Sequence, residues 1–122
     1  MSRLTLAQRQ SYFESMVARE MEWHGLLLQV PQWKVAYDHG RRRAGMCVFS
    51  SKTLSFSRHL VARASAEQMR DTILHEIAHA LAGPRHGHSR KWRKIALRIG
   101  CNGQRCHDMQ LCWNIQWNTC DH

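Results

Sequence analysis

His75-Glu76-Ile77-Ala78-His79 restricts this 122-residue chain more than any other feature. Residues four apart on an α-helix share a face and lie about 6 Å apart along the axis. On a helix, the rings of His75 and His79 can therefore aim at one ion. Glu76 is rotated about 100° from His75. It stands beside the pair rather than within it, where it can reach a water at the ion. The segment carries its own helix signals. Ser65 with Gln68 reads as a capping box. Met69, Ile73, Leu74, Ile77 and Leu81 then recur at helical spacing, and Gly83-Pro84 stops the run. The pattern predicts a helix over 66–82 with a core face beside a metal face.

A structural zinc site closes all four positions with Cys and His, whereas three histidines leave one position open. Water in an open position has its pKa lowered towards ~7, so a nearby carboxylate can take its proton. Glu76 is the candidate general base, and later the proton donor to a leaving amine. Two imidazoles beyond the breaker, His86 and His88, compete as third ligand. The longer HExxHxxGxxH pattern is not followed, because Ala82 stands in place of its glycine and Arg85 in place of its last histidine. Two helical histidines can also be satisfied by hydrogen bonds alone. The cap, the breaker and the further histidine favour the metal reading, since structural context is what tests a motif.

The remaining elements follow from periodicity and punctuation. Thr5 with Gln8 is a second capping box. Phe13, Met16, Val17 and Met21 continue it as a helix over about 6–24, ended by Gly25. Trp33, Val35 and Tyr37 alternate with polar or small residues as a half-buried strand. Gly45 to Phe49 and Thr53 to Phe56 read as two more strands, with Leu54 and Phe56 inward. Short links suggest an antiparallel meander. A loop or helical turn fills 57–64, and a last helix spans about 89–99, ended by Gly100. The expected architecture is α+β: an N-terminal helix, a three-stranded antiparallel sheet, the metal helix and a following helix. A sheet edge near the metal could hold an extended substrate by strand addition. Cys47, on the segment of interest, reads most simply as a small buried hydrophobe. Residues 1–100 form one domain, with 101–122 as a cysteine-rich tail packed on it.

Eighteen Lys and Arg face nine Asp and Glu, for a net charge of +9. Such a surplus favours a polyanionic partner, most simply nucleic acid. It concentrates at Arg41, Arg42 and Arg43 and at Arg90, Lys91, Lys94 and Arg98, which share one helix face. A solvated basic face is the plainer alternative. No base-reading motif is present, so DNA contact is expected at phosphates. No apolar run approaches the ~20 residues that span a bilayer, and the N-terminus lacks an apolar signal region. The chain reads as a cytoplasmic or nucleoid-associated monomer. Cys101, Cys106, Cys112 and Cys120 crowd the tail without CxxC spacing. They leave open a second, structural zinc beside buried thiols or a redox pair. Trp113 and Trp117 read as a helical anchor or, more sharply, as a base-stacking platform.

The run through Trp33, Ala44-Gly45-Met46-Cys47, Leu54-Ser55-Phe56-Ser57, Asp71-Thr72-Ile73-Leu74-His75-Glu76-Ile77-Ala78-His79-Ala80 and His88-Ser89-Arg90-Lys91-Trp92 resembles the SprT-like metalloprotease family over about residues 10–100. That family includes the Spartan-type proteases that degrade proteins crosslinked to DNA. The HExxH is shared with many zinc proteases; His88 followed by an aromatic at Trp92 is more specific. The resemblance implies a zincin-like fold, one catalytic zinc with His88 as third ligand, and a cytosolic or nucleoid setting. Many members carry a C-terminal zinc ribbon with paired CxxC motifs, which this chain lacks. The expected function is a zinc-dependent metallopeptidase acting on proteins, those bound or crosslinked to DNA included. The alternatives are a nucleic-acid-binding module with a structural or catalytically decayed zinc site, and a zinc hydrolase for a non-protein amide. Tyr37, His39, Arg85 and His86 are candidate oxyanion donors by nearness in sequence.

Overall fold

The computed structural model describes residues 4–104. Helix α1 (Leu6–Trp23) opens on the Thr5/Gln8 capping box, with Thr5 and Gln8 each satisfying the other's backbone N–H. It ends at His24, and Gly25 follows in the left-handed region at φ 82°. A 3-10 turn (Leu26–Leu28) leads to β1 (Lys34–Asp38), β2 (Gly45–Val48) and β3 (Thr53–Ser57). Ser57 then caps a short helix, α2 (Arg58–Arg63), through the His59 N–H. Helix α3 (Ala66–Ala82) starts at the Ser65/Gln68 capping box, and α4 (Arg90–Ile99) starts at Ser89 and ends at Gly100.

The sheet differs from the expected meander. Its order is β1-β3-β2, with β1 parallel to β3 and β2 antiparallel to β3. The sheet is therefore mixed rather than antiparallel. Only the β2–β3 link is a hairpin. Residues 39–52, which include β2, act as the crossover of a dozen or more residues that a parallel pair requires. Side chains fix the exit from β1. Asp38 accepts the Gly40 N–H at 2.8 Å and the Ser55 hydroxyl at 2.6 Å, and Ser57 donates its hydroxyl to the Gly40 carbonyl at 2.6 Å. The chain is thus turned away from β1 before β2 begins, and β3 fills the middle position.

Helix α3 lies at the centre, with core on two sides. Met69, Ile73, Ile77 and Ala80 pack with Phe13, Met21, Leu54, Phe56 and Leu60 from α1, the sheet and α2. Leu74, Ala78 and Ala82 pack with Trp92, Ile95, Ala96 and Cys101 of the α4 region. Burying both flanks of one helix stabilises each by about 25 cal/mol per Å² of apolar surface, and it fixes the rotation of the helix about its axis. Polar ties add register. Arg9 donates from Nε to the Val61 carbonyl at 2.7 Å and from its terminal nitrogen to the Ala64 carbonyl, satisfying carbonyls that the end of α2 leaves open. Arg70 of α3 pairs with Glu20 of α1 at 3.1 Å. Among the described residues, no helix is long and apolar enough to cross a membrane.

Candidate metal centre and active site

Helix α3 carries His75, Glu76 and His79 on turns that its two packed flanks hold in place. The chain then reverses direction within five residues. Gly83 takes φ 96° and ψ 168°, a region open to glycine alone. Arg85 at φ 74° and Gly87 at φ 46° complete the reversal. The Ser89 N–H donates to the His86 carbonyl at 2.8 Å, and α4 begins. This elbow brings His88 back over α3.

The three imidazoles converge. Nε2 of His88 lies 3.0 Å from Nε2 of His75 and 3.2 Å from Nε2 of His79. His75 and His79 are buried and His88 is half-buried. Two nitrogens bound to one zinc at 2.0–2.1 Å and at the tetrahedral angle lie about 3.3 Å apart. The observed spacing is close to that figure, and an all-imidazole donor set suits zinc. These three residues therefore fit a metal ion, and they form the group of potential ligands found among the described residues. His86 is not part of it.

Trp92 backs all three rings. Its indole stacks on His79 at 5.3 Å between centroids, meets His75 at 4.7 Å and meets His88 edge to face at 4.7 Å. Its Nε1–H donates to the His75 carbonyl at 3.3 Å. Trp92 is fully buried, so water is kept from behind the imidazoles. The aromatic four residues past His88 thus has a packing role for each ring.

Glu76 is 1 % exposed, against strand β2. Gly45 faces its carboxylate so closely that a Cβ there would lie 3.1 Å from Oε2. Cys47, on the same face of β2, is also buried. Burial, and then the Glu76 charge, push the Cys47 thiol up, so it stays protonated. This fits the expected small buried residue. The Gly45–Glu76 approach is not among the sequence expectations, although a glycine inside a strand can mark a close approach.

The other anticipated residues are dispersed. Tyr37 packs edge to face on Phe13 at 6.0 Å under the Arg58 guanidinium, and burial raises its pKa to about 12. His39 and Arg85 are exposed and His86 is half-buried. Arg41, Arg42 and Arg43 sit on the β1–β2 connection, the first two exposed. Burial and the nearby Arg41, Arg63 and His39 lower the His59 pKa there. Arg90, Lys91, Lys94 and Arg98 line one groove along α4 with Ile95. Arg98 also lines a second groove with Arg19, Trp23 and Arg70, which the sequence did not single out. Of the tail cysteines, Cys101 is buried in the α3–α4 core, and burial raises its thiol to about 12. Cys106, Cys112 and Cys120, with Trp113 and Trp117, lie outside the described residues.

No curated protein and no solved structure matches the chain. The model of the SprT-like family matches residues 7–112. That span takes in the histidine centre, the elbow and the strand beside Glu76, and by it the chain belongs to the SprT-like family.

Proposed function

We propose that this chain is a zinc-dependent peptidase, with His75, His79 and His88 holding the ion and Glu76 as general base. The observation that carries the reading is the convergence of three imidazole nitrogens, with a buried carboxylate, Glu76, next in the chain to one of them. Ligands alone would serve a structural site. A buried carboxylate next to a three-ligand centre has a use in hydrolysis.

When bound, a zinc ion supplies Lewis acidity, which polarises a carbonyl and acidifies water. The protein's own groups do the rest. Glu76 accepts a proton from the water that attacks the carbonyl carbon. It then delivers that proton to the amine nitrogen as the C–N bond breaks. Trp92 holds the imidazole rings in place from behind. β2 is an edge strand packed beside α3, and among the described residues no strand pairs with its outer side, which supports an extended peptide adding there. Backbone pairing of that kind supports protein substrates with weak side-chain preference. The net charge of +9 and the basic groove of α4 support nucleic acid as a neighbour of the substrate, in the cytoplasm or nucleoid.

The test compares the parent chain with Glu76→Gln for bound zinc and for cleavage of a DNA-binding protein, with and without single-stranded DNA. Both proteins are expected to retain zinc. Cleavage is expected to fall on the order of 10²–10⁴-fold in the variant. Equal cleavage rejects Glu76 as the base. Absence of cleavage in both, with tight DNA binding, replaces the peptidase with a nucleic-acid-binding module.

A further inference from the structure

We infer that Gly45 is the positioning residue for Glu76: the missing side chain on β2 is the space that the carboxylate occupies. The inference rests on the peptidase reading for its catalytic consequence, though not for the close approach itself.

A Cβ built on Gly45 would lie 3.0 Å from Cγ, 3.1 Å from Oε2 and 3.3 Å from Cδ of Glu76. Ordinary carbon contacts lie at about 3.5–4.0 Å. All three of these nearest atoms belong to the one glutamate. Backbone conformation does not demand glycine at this point. Gly45 lies in regular strand geometry, paired with Phe56 of β3, and its φ is outside the left-handed region that Gly25, Gly83 and Gly100 adopt. Space is therefore the reason for glycine here.

The surroundings leave Glu76 little room to yield. Helix α3 is wedged between two core clusters, so the Glu76 Cα cannot retreat. The side chain is 1 % exposed. Strand β2 is held by its ladder to β3, and the Ser57 N–H donates to the Ala44 carbonyl at 2.8 Å, just before Gly45. Cys47 occupies the next position on the same face of β2. The inner face of β2 is thus a fitted wall for Glu76, vacant at 45 and small at 47. A methyl group at 45 would displace the carboxylate rather than the strand. The carboxylate must give by a few tenths of an ångström, and misplacement of a catalytic group by about 1 Å can cost on the order of 10²-fold in rate.

The test is a double-mutant cycle on zinc-loaded protein using Gly45→Ala, Glu76→Ala and the pair, with thermal unfolding of all four proteins. Zinc content and steady-state cleavage are measured for the parent and Gly45→Ala. In the parent background, Gly45→Ala is expected to lower Tm by about 4 °C through overpacking. In the Glu76→Ala background, where the three facing atoms are gone, it is expected to leave Tm unchanged. In the cleavage assay, Gly45→Ala is expected to lower kcat about 10- to 100-fold, with KM and zinc content near the parent's. Equal Tm decreases in both backgrounds overturn the close approach, and parental kcat in Gly45→Ala overturns the positioning role. Should Gly45→Ala fail to fold, folding of the double variant upholds the close approach and failure of the double variant overturns it. A parent chain that cleaves nothing removes the peptidase reading, and the stability cycle then decides alone whether Gly45 sets the place of the carboxylate.

Discussion

Trp92 is the side chain whose removal would be felt by every part of the centre, because it touches all three imidazoles and donates to the His75 carbonyl. Replacing a buried Trp by Ala costs about 3–5 kcal/mol. Removing a group that orients ligands lowers metal affinity about 10- to 100-fold. Trp92→Ala is expected to show both effects, read by urea unfolding and by zinc competition against a chromophoric chelator. Trp92→Phe keeps a ring on the imidazoles and removes the indole N–H, so about 1–2 kcal/mol is expected. If Trp92→Ala binds zinc as tightly as the parent, the indole does not orient the ligands. His75, Glu76 and His79 were legible in the sequence because helix geometry alone relates them. His88 needed the elbow, which Gly83-Pro84 announced without fixing whether 86 or 88 would return. Gly45 was legible only as a glycine in a strand. Its partner lies on another element, and no local rule names that partner.

At the scale of elements, the helices were readable and the sheet was readable only in part. Thr5/Gln8, Ser65/Gln68, Gly25 and Gly100 mark helix ends by satisfying or terminating local hydrogen bonds, and these act wherever the helix is placed. Alternation marks a strand but says nothing of its neighbour. The pairing of β1 with β3 goes with contacts distant in sequence, Ser55 to Asp38 and Ser57 to the Gly40 carbonyl. Helix α4 has one apolar face in the core and one basic face lining a groove. Arg98 also lines another groove, which Trp23, 82 % exposed, lines together with Arg19, Glu20 and Arg70. If this surface holds DNA, charge reversal at Lys91, Lys94 or Arg98 should weaken binding to all sequences alike. It should also make the plot of log K against log salt shallower, by about 0.9 for each phosphate that the protein no longer neutralises. Fluorescence anisotropy over a salt series measures this, and unchanged slopes would remove α4 from the interface.

For the molecule as a whole, buried acids of high pKa set an alkaline limit. Burial carries the Cys101 thiol from its ordinary 9.0 to about 12, raises Cys47 as well, and moves Tyr37 from 10.0 to about 12. Above pH 9 the unfolded chain releases these protons while the folded chain keeps them. The unfolded state then binds fewer protons, so stability falls as pH rises. Tm is expected to hold between pH 7 and 8.5 and to drop progressively from about pH 9 towards 12. Cys101→Ala should flatten part of that descent, and an identical descent in this variant would exclude the thiol as a cause.

One consequence of the elbow concerns the order in which the centre is completed. His88, which supplies the third imidazole, lies just ahead of α4, and Trp92 on α4 backs the other two rings. Third imidazole and indole backing thus belong to one segment, so a chain in which α4 is not seated on α3 lacks both. On the proposed peptidase reading, cleavage awaits the seating of α4, which spares an unfinished molecule from cutting itself or its neighbours.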